Sequence, residues 1–287
     1  MIDSKILSEE GEQRRVSHLD FEVLSRCPAC GNKDFRFLVS KADVCAEEEF
    51  VCRLYRCKKC DFIFLNPQLS QVLAKNVEES STFYDSWGEE KVAACGGVAE
   101  LVSKFCDFRP GKVLEVGCGK GFLLKNFQLR GWKVWGVEFV EKYVRYAQEA
   151  FGLRVINRPF EGARFSPNIF DAVIMWHTLE HIKAPKVVLE KVMSILKVGG
   201  VFALEVPDFA AYRGEGNVSE IICPVHNSYF TPYTLRGLLS RAGFKLEFFQ
   251  AHEKVITVVA RKTQGRRWFR DSRFFGSLRS RCIFLPR

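Results

Sequence analysis

Residues 113–122 read VLEVGCGKGF. An apolar run leads into glycines at every second position, Gly117, Gly119 and Gly121. Glycine has no Cβ, so a turn built this way can take left-handed backbone and let a ligand come close to the chain. Between a strand and a helix, such a turn belongs to an open α/β sheet, whose ligands bind beyond the carboxyl ends of the strands. The plainer alternative is a tight turn that holds nothing.

The segments downstream support the sheet. KVLEVG, WKVWGVE, LRVIN, FDAVIMW and VFALEVP read as strands, and each of the first four is followed by a segment of helical or loop character. Helices are expected over FLLKNFQLRG, EKYVRYAQEAFG and PKVVLEKVMSILKVGG. Another is expected over TPYTLRGLLSRAGF, with Thr231 as N-cap and Pro232 in its first turn. KLEFFQ and KVITVVAR complete the strands. This alternation predicts a mostly parallel sheet with helices on both faces.

The glycine spacing says which ligand suits the turn. A dinucleotide fingerprint spaces its glycines G-x-G-x-x-G, whereas here the third glycine arrives one residue early. No Gly-Lys-Ser/Thr follows, so a Walker loop is excluded. Glu115 would repel phosphates but would attract an ammonium group. S-adenosylmethionine carries an amino acid end and no phosphate. Glu138 closes the second strand, where a carboxylate can accept hydrogen bonds from both ribose hydroxyls. An exposed strand-end acid is the alternative reading of Glu138.

Together VLEVGCGKGFLL, WGVEFVEKYVRYA, FDAVIMWHTLEHI and LKVGGVFALEVPD resemble the class I S-adenosylmethionine-dependent methyltransferases. The resemblance spans roughly residues 106–260. It implies a Rossmann-like seven-stranded sheet with an antiparallel last strand. It also implies that Glu115 and the backbone of Gly117, Cys118, Gly119 and Gly121 hold the methionine end. Glu138, followed by Phe139, would take the ribose, and Phe160 and Glu161 of RPFEGARF would lie beside adenine. Val198 stands where family members often have proline, which touches only a turn.

Methyl transfer is an in-line displacement that needs alignment first and, for a hydroxyl acceptor, help from a base. WHTLEHI follows the fourth strand at the rim where cofactor and acceptor would meet. Trp176 and His177 are expected on the methionine side. His181 stands four residues beyond His177 and is the first candidate for a base or an acceptor-orienting group. His226, in CPVHNSYFTPYTLRGLL, is the second, on a segment that resembles a substrate-facing loop of the same family. Each histidine could equally be packing its loop. No HExxH pattern is present, which argues against reading the His pair as a metal site.

Six of the eleven cysteines fall in residues 21–70. Cys27 and Cys30 form CPAC, and Cys57 and Cys60 form CKKC. Two C-x-x-C knuckles at this separation suit a tetrahedral zinc site. A segment this short has little core of its own, and zinc would supply the missing stability. Gly31 and Asp61 follow the two knuckles, where left-handed backbone is needed. The arrangement resembles the zinc ribbon that precedes some methyltransferases, including ones acting on sugars. Reduced structural cysteines or an iron–sulfur centre are the alternatives. Cys45 and Cys52 are left without a role.

The expected organisation is a flexible lead (1–20), a zinc ribbon (21–70), a helical connector or lid (71–105), the cofactor domain (106–262) and a basic aromatic tail (263–287). Residues 261–287 carry nine Arg or Lys against one Asp, so nearly all of the +9 net charge sits there. Trp268, Phe269, Phe274, Phe275 and Phe284 are interleaved with these arginines. Contact with an anionic membrane surface, nucleic acid binding and a solvated end are the three readings of the tail. The near-neutral body argues against nucleic acid as a partner. No signal-peptide core and no spanning segment are visible, which points to a reducing cytoplasm, with membrane-peripheral attachment through the tail as a variant. The function expected is methylation of a small-molecule or glycan-type acceptor, at oxygen before carbon or nitrogen. RNA or protein methylation and a non-catalytic binding module are the competitors.

Overall fold

The computed structural model describes residues 21–45, 48–82 and 85–264. The lead, and the aromatic tail from residue 265 onward, lie outside them.

The N-terminal region is a small β unit. β1 (Phe21–Glu22), β2 (Phe35–Cys45), β3 (Glu48–Cys57), β4 (Ile63–Leu65) and β5 (Gln68–Leu69) are joined by the two cysteine knuckles and short turns. β2 and β3 form a long antiparallel hairpin, β3 pairs with β4, and β1 pairs with β5. Helices α1 (Gln71–Ser80), α2 (Glu90–Ala94) and α3 (Gly96–Phe105) follow. Ser70 caps α1 by accepting from the Leu73 N–H. The helical stretch breaks at Cys95, next to the Gly96–Gly97 pair.

The remaining strands and helices are β6 (Lys112–Val116), α4 (Phe122–Leu129), β7 (Lys133–Glu138), α5 (Glu141–Phe151), β8 (Val155–Asn157), β9 (Phe170–Trp176), α6 (Pro185–Ile195), β10 (Leu196–Pro207), α7 (Phe209–Gly214), β11 (Ser228–Tyr229), α8 (Pro232–Arg241), β12 (Phe244–His252) and β13 (Val255–Lys262). Seven of these strands form one sheet in the order β12-β13-β10-β9-β6-β7-β8. β13 runs antiparallel to β10 while β6 to β10 are mutually parallel. This is the Rossmann-like α/β sheet expected from the sequence. β9 is apolar on both sides because a parallel strand covered by helices has no wet face. Thr231 caps α8 and Pro232 opens it, as predicted. One helix ends sooner than its sequence suggests: α6 stops at Ile195, because Leu196 already pairs with Phe170 and begins β10, whose register shifts before Val201.

The cores explain how the parts are held. One face of the sheet, with Ala172, Ile174 and Val201, packs against Ala99 and Val102 of α3 and Leu123 and Phe127 of α4. The other face joins Leu114, Val173 and Leu204 to α6, α8 and the ribbon in a single apolar cluster. Ala29, Phe62 and Phe64 of the ribbon and Phe230 beside β11 belong to it. Phe62 and Phe230 meet edge to face with centroids 5.6 Å apart. The ribbon therefore shares its core with the sheet domain. It shares a sheet too, since β11 adds to β4 through Ser228–Phe64 and Tyr229–Ile63.

Candidate functional site

The strand β6 ends at Val116 and the chain turns through Gly117, Gly119 and Gly121, all with positive φ, into α4. The three glycines have different reasons. A Cβ on Gly117 would meet Thr178 at 2.5 Å, and one on Gly121 would meet Leu153 at 2.5 Å and Ala147 at 3.1 Å. Around Gly119 nothing lies within 4 Å of such a Cβ. Gly117 and Gly121 thus serve packing, while Gly119 faces open space that a ligand can fill.

Glu138 clamps this turn. Its Oε2 accepts from the Gly119 N–H at 2.9 Å, and its Oε1 accepts from the N–H groups of Phe139 and Val140 at 2.7 and 2.9 Å. Burial raises its pKa, and the three backbone donors work against that rise. Each carboxylate oxygen has two lone-pair directions, so Oε2 keeps one for a ligand hydroxyl. Glu115 is buried on β6 with Oε2 lacking any hydrogen-bond partner. Burial, reinforced by the charge of Glu138, holds its carboxyl well above the usual carboxylate range. Its unpartnered oxygen is free to accept a hydrogen bond behind the glycine turn.

A cavity of about 300 Å³ opens at the carboxyl ends of the strands. Its lining includes Val116, Gly117, Glu138, Phe139, Phe160 and Glu161. His181, Ile182, Lys183 and Thr178, all from the segment after β9, complete this lining together with residues of β1 and α1. Phe160 is buried in a short 3-10 turn that Lys191 braces by donating to the Phe160 and Ala163 carbonyls. Glu115, Cys118, Gly119, Gly121, Trp176, His177 and His226 stand around the cavity and do not line it among the described residues.

The three histidines differ sharply. His177 adopts φ 49°, a left-handed backbone that costs a non-glycine residue roughly 1–3 kcal/mol. Its ring sits 3.1 Å from Glu205 and 3.5 Å from Glu180. Burial disfavours the charged ring, but hydrogen bonds to Glu180 and then Glu205 outweigh it and push the pKa up to about 10. His177 is a cation in an ion-pair cluster at neutral pH. His181 is the reverse: burial lowers its pKa, with Glu180 opposing, so the ring is neutral. Its Nδ1 has no hydrogen-bond partner and faces Glu78 Oε1 at 3.5 Å. The His226 ring packs edge-on against it at 4.8 Å and is fixed by a contact of its Nδ1 with the Ile221 carbonyl oxygen at 3.0 Å.

Sequence reasoning missed two residues here. Glu78 comes from α1 and lines the cavity, with burial raising its pKa against the pull of His226 and Lys142. Asn227, buried before β11, donates its Nδ2 to the His181 carbonyl at 2.7 Å. Neither carries a local signal, since both reach the site through long-range folding.

At the N-terminal unit, Cys27, Cys30, Cys57 and Cys60 converge so that their sulfurs lie within 4.8 Å of one another. Cys27–Cys60 and Cys30–Cys57 are each 3.6 Å apart. A tetrahedral zinc site with Zn–S of about 2.3 Å has sulfur–sulfur edges of about 3.8 Å. Gly31 and Asp61 take φ 73° and 60°, and their N–H groups donate back to the Cys27 and Cys57 carbonyls, which shapes both knuckles. Neighbouring thiols, with Cys27 first, hold the Cys57 thiol far below its usual range, and the Asn32 amide also points at its sulfur. The donor set fits zinc. Cys52 is a buried thiol apart from this cluster.

Residues 86–247 match the model of a family described as a methyltransferase domain. The chain is 31% identical over 107 residues to the ubiquinone biosynthesis O-methyltransferase of Chromobacterium violaceum, a stretch covering 35% of this chain and 46% of that protein. It is 30% identical over 108 residues to the same-named protein of Albidiferax ferrireducens, covering 35% and 43%. The match thus spans less than half the length of these two relatives. Among solved structures, a protein from Pyrococcus horikoshii OT3 superposes with TM-score 0.54 at 19% identity, over 63% of this chain and 95% of that one. A Thermotoga maritima protein described as an S-adenosylmethionine-dependent methyltransferase gives 0.50 at 20%, over 66% and 100%. Such identities speak for the fold alone. Among the described residues no helix is long and apolar enough to cross a membrane. With the family match covering more than half of the chain, and the glycine turn and seven-stranded sheet in place, the chain belongs to the class I S-adenosylmethionine-dependent methyltransferases.

Proposed function

We propose that this enzyme methylates a hydroxyl of a small-molecule or glycan-type acceptor. The observation that carries the reading is one cavity whose lining includes Gly117 and Glu138 together with His181, a neutral histidine whose buried Nδ1 has no hydrogen-bond partner. In this reading Glu115 and the Gly117–Gly121 backbone, with Cys118 and Trp176 behind them, hold the methionine end. Glu138 accepts from the ribose, and Phe139, Phe160 and Glu161 border the adenine. Bound there, S-adenosylmethionine supplies an electrophilic methyl group on a sulfonium. His181 orients the acceptor hydroxyl and receives its proton, which its neutral state permits. His177, already protonated and shared between two carboxylates, instead fixes the rim that carries His181. His226 holds the His181 ring from the side. The four cysteines hold a structural zinc ion. The name of the two relatives, O-methyltransferases of ubiquinone biosynthesis, supports oxygen as the acceptor atom.

The test is transfer of isotope-labelled methyl groups by the zinc-loaded protein to pools of phenols, sugars, RNA and protein. Label on hydroxyl compounds, lost in His181→Ala, is the expected result. Label only on RNA or protein would overturn the acceptor class.

A further inference from the structure

The His181 turn is held from outside its own domain. The Asn227 N–H donates to the Glu180 carbonyl at 2.8 Å, and its side-chain Nδ2 donates to the His181 carbonyl at 2.7 Å. The next residue continues the grip, with Ser228 Oγ donating to the Ile182 carbonyl at 3.1 Å. The Asn227 carbonyl faces the other way. It accepts from the Leu65 N–H at 3.1 Å, at the end of β4, and from Gln68 at 3.4 Å. β4 leaves the second cysteine knuckle directly and pairs with β11. A second tie runs from β1, where Glu22 meets Lys183 at 2.7 Å. β1 is anchored in turn by Asn66, which exchanges hydrogen bonds with both backbone groups of Leu24. At the cofactor end the hydrogen bonds that set Gly117, Glu138 and Phe139 run within β6, β7 and the turn itself, and the ribbon reaches this end through the apolar cluster of Val116, Val137 and Phe160 with Phe62 and Phe64.

We infer that Asn227 is a positioning residue that couples the cysteine ribbon to His181, so that the loaded ribbon assembles the acceptor half of the cavity and leaves the cofactor half alone. The inference rests on the proposed zinc site. Its physical content is a rigid path of one β pairing and two hydrogen bonds, from the Cys57–Cys60 knuckle through β4 and Asn227 to the His181 carbonyl. Without metal the knuckle loses its cross-link, β4 loses its register, and Asn227 no longer has a fixed frame.

The test uses the full zinc-loaded chain with 15N-labelled histidine, read by ring signals, amide exchange and calorimetric binding of S-adenosylhomocysteine. Chelating the metal should speed exchange of the Leu65 and Asn227 amides at least tenfold and shift the His181 ring signals. Cofactor-product affinity should stay within about threefold. Asn227→Ala should shift the same ring signals while zinc content and ribbon exchange stay unchanged, and Asn227→Gln should restore them in part. If chelation loosens the ribbon yet leaves His181 and the Asn227 amide untouched, the coupling is wrong. A chain that binds no zinc also overturns it. Failure to bind S-adenosylhomocysteine with His181 still responding to zinc would instead sink the reading of the cofactor site and leave the coupling standing.

Discussion

The two halves of the cavity are built by different means. The half proposed to hold the cofactor is local: a strand end, three glycines and an acid on the neighbouring strand, tied by backbone N–H groups that donate to the Glu138 carboxylate. The half proposed to receive the acceptor is assembled from afar. Glu78 comes from α1, His181 from the turn after β9, Asn227 from the loop just before β11, and Glu22 from the first strand of the ribbon. The contrast teaches that one half is a property of the sheet fold, whereas the other is a property of how the ribbon docks on it.

The largest effect is expected from chelating the proposed zinc. Structural zinc contributes on the order of 10 kcal/mol in small cysteine sites, more than a segment of this size can replace. Chelation should speed amide exchange across the ribbon and lower the melting temperature through the core that ribbon and sheet share, while cofactor affinity stays nearly unchanged. Loss of cofactor binding along with the ribbon would mean that the halves are not separable. Next in size is Glu138→Ala. Removing the proposed ribose acceptor, which also clamps Gly119, should weaken S-adenosylmethionine binding about 100-fold, in line with about 1.5–3 kcal/mol for a hydrogen bond to a charged group. Glu138→Gln should lie between, because it keeps an acceptor oxygen.

The glycines sharpen the same contrast within the cofactor half. Gly119→Ala places a methyl group in open space at φ 51°, so affinity should fall about tenfold with a melting temperature lowered only by the backbone strain. Gly121→Ala drives a methyl group into Leu153 and Ala147, so thermal stability should fall further and affinity less. Equal effects on both properties in both variants would deny the distinction. The smallest effect belongs to His177. Its pKa is raised to about 10, so the ring binds a proton more tightly in the folded chain than in the unfolded one. The associated stability is present in full below about pH 6.5 and is lost as pH rises through about 10. Because the side chain is 44% exposed, solvent screening limits it to less than about 1 kcal/mol. His177→Gln should flatten the alkaline limb of a melting-temperature profile.

Much of the first half was legible in the chain because its signals are short-range. VLEVGCGKGF announces a strand, a turn and a helix within ten residues, and Glu138 sits at the end of the next strand. The cysteine pairs were equally plain, since C-x-x-C spacing encodes the knuckle itself, down to the left-handed Gly31 and Asp61. The acceptor half was not legible for a physical reason. The pairing of β4 with β11 joins positions more than 160 residues apart, and nothing in Ser228–Tyr229 alone marks it as a partner for Ile63–Phe64. Asn227 and Glu78 acquire their places only through that docking. His181 was found by its position after β9, but the same segment concealed that His177 is locked as a cation by Glu180 and Glu205. The local Glu180 contributes most, and the distant Glu205, which arrives through β10, completes the pair.

The central claim is that the glycine turn and Glu138 form an S-adenosylmethionine site that stands without the acceptor. The direct measurement is calorimetric titration of the folded, zinc-loaded chain with S-adenosylmethionine, wild type beside Glu138→Ala. The account predicts one site of micromolar affinity in the wild type, weakened about 100-fold in the variant. No binding to a wild type with an intact melting transition, or equal binding to both proteins, would contradict it.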